Sequence, residues 1–452
     1  MAATTEPFAN PLSARSDLHD RYLSFLGCVL AGYALMGKGF AYVGVPPLFI
    51  GEITFALGLL VLFRTRCLVP LIVTPRTLCL CLLLIWGMIR TVPYVGTYGI
   101  DALRDSVILG YALFAFVVAA LLLERPARLE WIVETYSRFA WVYGLVGGFV
   151  YLLYALDLNV PMPGTGYEIP YVRAGEAAVH LCGVAVFVLL GLRRVTTVWA
   201  IGFIVSLAMV MPNRGGLMAC LVPISVAAIV GGHVARLGRP LFVCAVLFAI
   251  AYALDLKIDV PGGRGIGAVQ LVDGLASIFG DSKSSNFDGT KEWRLRWWGT
   301  IIDYTVHGPY FWHGKGFGIN LAEADGFVVG DAGPPVLRSP HNSHLTLLAR
   351  AGIPGLCFWV LTLLAWFLMI GRAMVHARVR RRTAWANLFL WVACYVMAFL
   401  IDASFDVALE GPMLGIWFWC LFGFGIGAEM IYRTIPDPRR RSGPRPPAMA
   451  RG

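Results

Sequence analysis

With 452 residues, 58% of them hydrophobic and only 14% charged, and a mean hydropathy of +0.70, the chain falls far outside soluble composition, where about a quarter of residues carry charge. Repeated apolar runs of about 20 residues indicate one bundle of membrane helices rather than a string of soluble domains. The formal net charge of +10 does not call for nucleic acid, because the placement of the basic residues explains it as membrane orientation.

The first 21 residues, MAATTEPFANPLSARSDLHDR, are polar for too long to open a signal peptide. No A-x-A site follows, so the first apolar run is read as a retained anchor. That run is the first of twelve, at about 22–36, 46–63, 71–89, 106–123, 131–155, 177–192, 195–211, 215–231, 240–254, 343–371, 385–403 and 411–432. They predict an all-α polytopic membrane protein of about twelve transmembrane helices. Helices one to nine lie within 1–254, a large outer loop region with interfacial helices spans 255–342, and helices ten to twelve lie within 343–432. The basic tail 433–452, containing PDPRRRSGPRPP, has a disorder-prone composition. Cytoplasmic termini put 22 of the 37 basic residues on the inner side, mostly in short loops such as those holding Arg125, Arg193 and Arg381. The ten cysteines all lie in or beside apolar runs, which argues against a disulfide framework or a cysteine zinc site.

Residues that run against the orientation trend are the candidates for chemistry. Lys38 (in GKGF) and Arg104 (in DALRDS) fall in outer loops, and Arg214 falls in the MPNRGG turn between helices seven and eight. Guanidinium suits bidentate phosphate binding, and the two glycines after Arg214 let a ligand come close. In the long loop, Trp297 and Trp298 with Arg294 and Arg296 suit a helix at the membrane interface, with packing on the bundle as the alternative. GGRGIG (262–267) and GKGFG (314–318) match no nucleotide loop and read as turns. In RSPHNSHLTLLARAG (338–352), Ser339 and Pro340 are the expected cap and first residue of helix ten. His341 then falls in its first turn, where the positive helix end favours a neutral, proton-accepting imidazole. His344 and Arg350 follow on the same helix as internal hydrogen-bonding residues. The His341–His344 spacing resembles a metal pair only superficially, since no cysteine or carboxylate lies near it. Glu52 and the i,i+4 pairs Glu134–Arg138 and Glu176–His180 would suit a proton-coupled transporter. The concentration of charge at the outer face, with no evident repeat, speaks against that class.

NRGG (213–216), GKGFG (314–318) and H-N-x-x-L before a small-residue helix (His341, Asn342, Leu345, then ARAGIPG) occur in that order on one predicted face. Together they resemble the O-antigen ligase and polymerase superfamily of bacterial envelope glycosyltransferases, over roughly residues 200–371. The resemblance implies a GT-C-like fold in the inner membrane. It also implies transfer, on the periplasmic face, of a glycan from undecaprenyl diphosphate to an acceptor hydroxyl, without nucleotide, metal or other cofactor. In ligases the acceptor is lipid A-core, in polymerases another lipid-linked glycan, and in O-linked oligosaccharyltransferases a protein Ser or Thr. The length and the single long loop are most similar to the ligases. On this reading His341 is the general base of an inverting displacement, and Arg214 and Arg338 hold the diphosphate. Lys38 and Arg104 are second-rank candidates for the same role, Asn342, His344 and Arg350 support the site, and Trp297 and Trp298 cover it or grip lipid. The rival from another class is a flippase for lipid-linked oligosaccharides.

Overall fold

The computed structural model describes residues 17–211, 213–258, 265–267, 269, 285–328 and 337–436, with backbone alone for 239–240, 266 and 285–290. The tail 437–452 and the first half of GGRGIG, 262–264, thus lie outside the described residues. Asp17 caps α1 (Leu18–Met36) by accepting from the Asp20 amide, and Gly37 at φ 64° ends it. Next come α2 (Lys38–Ala41) and an antiparallel hairpin of β1 (Gly44–Val45) and β2 (Leu48–Phe49). The chain continues through α3 (Ile50–Arg64), α4 (Leu68–Val73), α5 (Leu78–Tyr98), α6 (Ile100–Gly110), α7 (Leu113–Glu124) and α8 (Ala127–Ala155). A second hairpin, β3 (Val160–Pro161) with β4 (Glu168–Ile169), leads into α9 (Ala174–Leu189), α10 (Thr197–Val210), α11 (Arg214–Gly231) and α12 (Val234–Ala253). The strands β5 (Lys257–Ile258) and β6 (Ile266–Gly267) pair before α13 (Ser285–Val306) and α14 (Leu321–Asp325). The chain ends in α15 (Ser343–Val379), α16 (Thr383–Ala403) and α17 (Pro412–Thr434).

Ten of the twelve predicted runs fall on one helix each, while 71–89 reaches both α4 and α5 and 106–123 covers parts of α6 and α7. Seven of these helices are long and apolar enough to cross a membrane, or eight if α6 and α7, bent by 45°, form one span; α1, α3, α9 and α10 do not meet that standard. The third run begins later than predicted. Thr77 turns its hydroxyl onto the Leu71 carbonyl, so the chain closes short α4 before α5 starts at Leu78.

Small residues set the helix packing, as expected where lipid removes the hydrophobic drive between helices. A Cβ at Gly423 of α17 would lie 2.3 Å from the Ala115 carbonyl oxygen of α7, so only glycine lets these two backbones touch. Four of the cysteines, Cys182, Cys220, Cys394 and Cys420, are buried among the helices, as small apolar fillers.

A kink divides α15. Gly352 adopts φ 69° and ψ −174°, two residues before Pro354, which cannot donate to the helical ladder. The carbonyls released there are taken up by the GKGFG loop. Lys315 N–H donates to Ala349 at 2.7 Å and Gly316 N–H to Arg350 at 3.0 Å, while Ile353 N–H reaches Phe311 at 2.8 Å. GKGFG is therefore the turn that docks the long loop on the bundle. Above it, α13 and α14 build a small second core of Trp297, Ile301, Leu321, Ala322, Leu348 and Ala349. This corrects the interfacial expectation for Trp297. It is fully buried, with its Nε1–H donating to Asp325 at 2.7 Å. Trp293, Trp297, Ile301 and Tyr304 form one i,i+3/i+4 stripe turned inward.

Candidate active site

The candidate site gathers on the corner 404–411, between α16 and α17. Asn342 sets its geometry. Its Oδ1 caps α15 by accepting from the amides of His344 and Leu345, both at 3.0 Å, and its Nδ2 donates to the Ser404 carbonyl at 3.0 Å. The helix thus begins at Ser343, not at Ser339 and Pro340 as the sequence suggested. His341 stands before the first turn, in the left-handed region at φ 53°, a conformation uncommon for residues other than glycine. Trp298 of α13 steadies it, donating to the Pro340 carbonyl at 2.9 Å.

His341 Nδ1 lies 3.1 Å from Oδ1 of Asp406. The same carboxylate accepts from the Val407 amide at 2.8 Å and from Arg173 at 3.3 Å. Burial pushes the Asp406 carboxyl up, but the hydrogen bond from His341, the Arg173 charge and the Val407 amide outweigh it, holding the group down at about 2. An ionised carboxylate only accepts hydrogen bonds, so Nδ1 of His341 carries the proton and a neutral imidazole offers Nε2 as the acceptor.

Two further arginines come from neighbouring helices. Arg294 of α13 donates to the Phe405 carbonyl at 2.9 Å, and burial lowers its pKa while Asp406 opposes that shift. Arg214 opens α11, whose first turn is capped by Asn213 Oδ1 accepting from the Gly216 amide at 2.8 Å. That turn abuts the same corner, since a Cβ at Gly215 would sit 3.0 Å from Phe405 Cβ. The helix start, Arg173, Arg294 and His341 thus converge on Phe405 and Asp406.

The other predicted residues fall into different places. Arg338 pairs with Asp105 at 3.0 Å, approaches Asp101 at 3.7 Å and donates to the Gly318 carbonyl at 3.0 Å. Arg350 is buried and bonds the same Asp105 at 2.9 Å and the Ile319 carbonyl at 3.1 Å. Both tie α6 to the loop. His344 uses both ring nitrogens internally, Nε2 against the Leu400 carbonyl and Nδ1 accepting from Trp359, each at 3.1 Å. Lys38 stands on α2 near Arg173, across Tyr171, and Arg104 is exposed on α6. Glu134 and Arg138 form an exposed pair, but Glu176 and His180 do not: Glu176 accepts from the Arg173 amide, and His180 meets the Tyr395 hydroxyl.

Sequence reasoning missed Asp406 and Arg173 and read Arg294 as a lipid contact. The signal for Asp406 was SFDVALEGP, an acidic corner between two apolar runs at the predicted outer face. Residues 186–360 match the Wzy_C family model, described as O-antigen ligase, which supports membership of the O-antigen ligase and polymerase superfamily. Among curated proteins none matches. The matched stretch holds Arg214, Arg294, Arg338 and His341 and ends before Asp406.

Proposed function

We propose that this chain, which carries the O-antigen ligase family domain over residues 186–360, transfers O-antigen glycan from undecaprenyl diphosphate to a sugar hydroxyl of lipid A-core. The reaction takes place at the periplasmic face of the inner membrane and completes lipopolysaccharide. The observation that carries the reading is the His341–Asp406 pair at 3.1 Å, with Arg173 on the same carboxylate and Arg294 on the adjoining Phe405 carbonyl. Opposite this end of the bundle lie the short arginine-rich loops, which supports a periplasmic site under the positive-inside rule.

The acceptor oxygen attacks the anomeric carbon, its proton passes to Nε2 of His341, and the carbon–oxygen bond to the diphosphate breaks with inversion. Asp406 stabilises the imidazolium that forms. Arg214 and Arg294 neutralise charge as it grows on the departing diphosphate, where charge-assisted hydrogen bonds strengthen. Fixed guanidinium groups supply there the positive charge that a metal ion provides in other phosphate sites.

Reconstitution in lipid nanodiscs tests the reading by offering donor with lipid A-core, a second lipid-linked glycan or a Ser/Thr peptide in parallel. Product on lipid A-core is expected. Polymer or glycopeptide would assign one of the sibling activities, and translocation without a new bond would make the chain a transporter. The arginines are separable in the same assay. Arg214→Ala is expected to slow transfer by about 10²-fold, with Arg214→Lys nearly as impaired because a point charge cannot replace a bidentate fork. Arg338→Ala, removing a strut already committed to Asp101 and Asp105, should cost far less. Equal losses would return Arg338 to the diphosphate.

A further inference from the structure

Two segments of this chain read G-K-G-F, at Gly37–Phe40 and Gly314–Phe317, and both set their lysine against two tyrosines. Lys315 Nζ lies 4.2 Å and 5.7 Å from the ring centres of Tyr304 and Tyr310, and Lys38 Nζ lies 5.3 Å and 5.5 Å from those of Tyr167 and Tyr171. The two differ in one respect. Lys315 is ion-paired with the buried carboxylate of Asp325, whereas Lys38 has no ion pair among the described residues.

The Lys38 charge reaches buried Glu176, but the carboxylates on this side of the site take their hydrogen bonds from other groups. Glu168 accepts from Asn159 at 3.2 Å, Glu176 from the Arg173 amide at 3.1 Å, and Asp406 serves His341 and Arg173. Lys38 is also held rigidly. Its amide donates to the Tyr171 carbonyl at 2.9 Å, and the Tyr171 amide returns to Met36 at 3.0 Å. A Cβ at Gly37 would fall 1.9 Å from that Tyr171 oxygen, so glycine is required for the bridge. A half-buried lysine backed by aromatic faces, carried on an anchored backbone and making no ion pair among the described residues, is suited to receive an anion.

Its position identifies which anion. The cations around Asp406 divide into two flanks. Arg214 and Arg294 approach through Phe405 from α11 and α13. On the other flank Arg173 contacts Asp406 directly, and Tyr171 lies between Arg173 and Lys38. Burial pushes the Tyr171 phenol up, but Tyr154, Arg173 and Lys38 outweigh it and lower it overall, so both cations face this ring. A transferase that joins two lipid-borne glycans at His341 needs one flank for each.

We infer that Lys38, with Tyr167 and Tyr171, forms an anion subsite that receives a phosphate group of the acceptor glycolipid while the arginine flank holds the donor diphosphate. This rests on the transferase reading above. The subsite positions the acceptor: it holds a charged group of the glycolipid so that a hydroxyl further along the glycan meets Nε2 of His341.

Initial rates in nanodiscs of zwitterionic lipid test it, with a phosphorylated lipid A-core glycolipid and the same glycolipid after phosphatase treatment as the two acceptors. Losing one charge-assisted contact is worth about tenfold. Phosphatase treatment should therefore raise the acceptor KM of the wild type about tenfold. Lys38→Gln should raise it about tenfold for the intact acceptor and little for the treated one, with the donor KM unchanged, and Lys38→Arg should retain most of the preference. A rise confined to the donor KM, or equal effects on both acceptors, overturns the inference. If the wild type transfers nothing to either acceptor, the proposed function fails instead. Binding of the two glycolipids to the purified full-length protein then decides the subsite, and a phosphate preference retained by Lys38→Gln sinks it.

Discussion

His341→Ala is expected to slow transfer by about 10²–10⁴-fold, the usual contribution of a positioned general base, while the protein remains folded and inserted. The expectation of intact folding follows from where the side chain sits. His341 is partly exposed, precedes α15 and among the described residues contributes its bond to Asp406, whereas Asn342 carries the cap and the tie to Ser404. Thermal unfolding in detergent should therefore move little. Single-turnover kinetics are the appropriate measurement, because an endpoint hides a hundredfold change. The diphosphate is already a good leaving group and the arginines still neutralise it, so a residual rate above the uncatalysed one should survive. His341→Gln should be as slow as the alanine variant, since an amide hydrogen-bonds but does not take up the proton. Transfer retained within a few-fold of wild type would remove His341 as the base and leave it an orienting role.

The apolar runs made the helices legible from sequence, because a membrane span needs a minimum length of apolar residues and little else. Local signals gave way wherever a tertiary contact competed with them. Ser339 and Pro340 are good helix-starting residues, yet the cap fell to Asn342, whose amide satisfies two helix amides and reaches Ser404 at the same time. The i,i+4 spacing of Glu176 and His180 suggested a pair on one helix face. Glu176 instead closes its own helix end, and His180 finds Tyr395 on another helix. Trp297 illustrates a different limit: an aromatic and cationic helix has the same composition at a lipid surface as on a protein one, and only the packing of Leu321 and Leu348 against it decides. Within the site, His341 and Arg214 were readable because each sits in a short recognisable motif. Asp406 lies 65 residues beyond its histidine, and no periodicity connects a loop carboxylate to a partner at that distance.

Asp406→Asn provides the sharper test of mechanism, because it changes charge with almost no change in shape. In the wild type, the carboxylate can only accept, which keeps the proton on Nδ1 and leaves Nε2 free to take the acceptor's proton. An asparagine can present its amide N–H to Nδ1 instead, which stabilises the opposite tautomer, with Nε2 already protonated. It also leaves the imidazolium without a counter-charge as the reaction proceeds. A fall of about 10²–10⁴ in kcat is expected, in line with the same change in a serine-protease triad, with donor and acceptor KM values less affected. Since the folded carboxyl titrates at about 2, below its ordinary 3.8, its pairing stabilises the fold at every pH above the ordinary value and is lost only as pH falls toward 2. Any acid limb in the wild-type rate profile above about pH 4 must therefore titrate another group. Asp406→Glu, which keeps the charge but displaces it by one methylene, should recover part of the rate; if Asp406→Asn and Asp406→Glu are equally active, the carboxylate only shapes the corner, and tautomer control by Asp406 is not part of the mechanism.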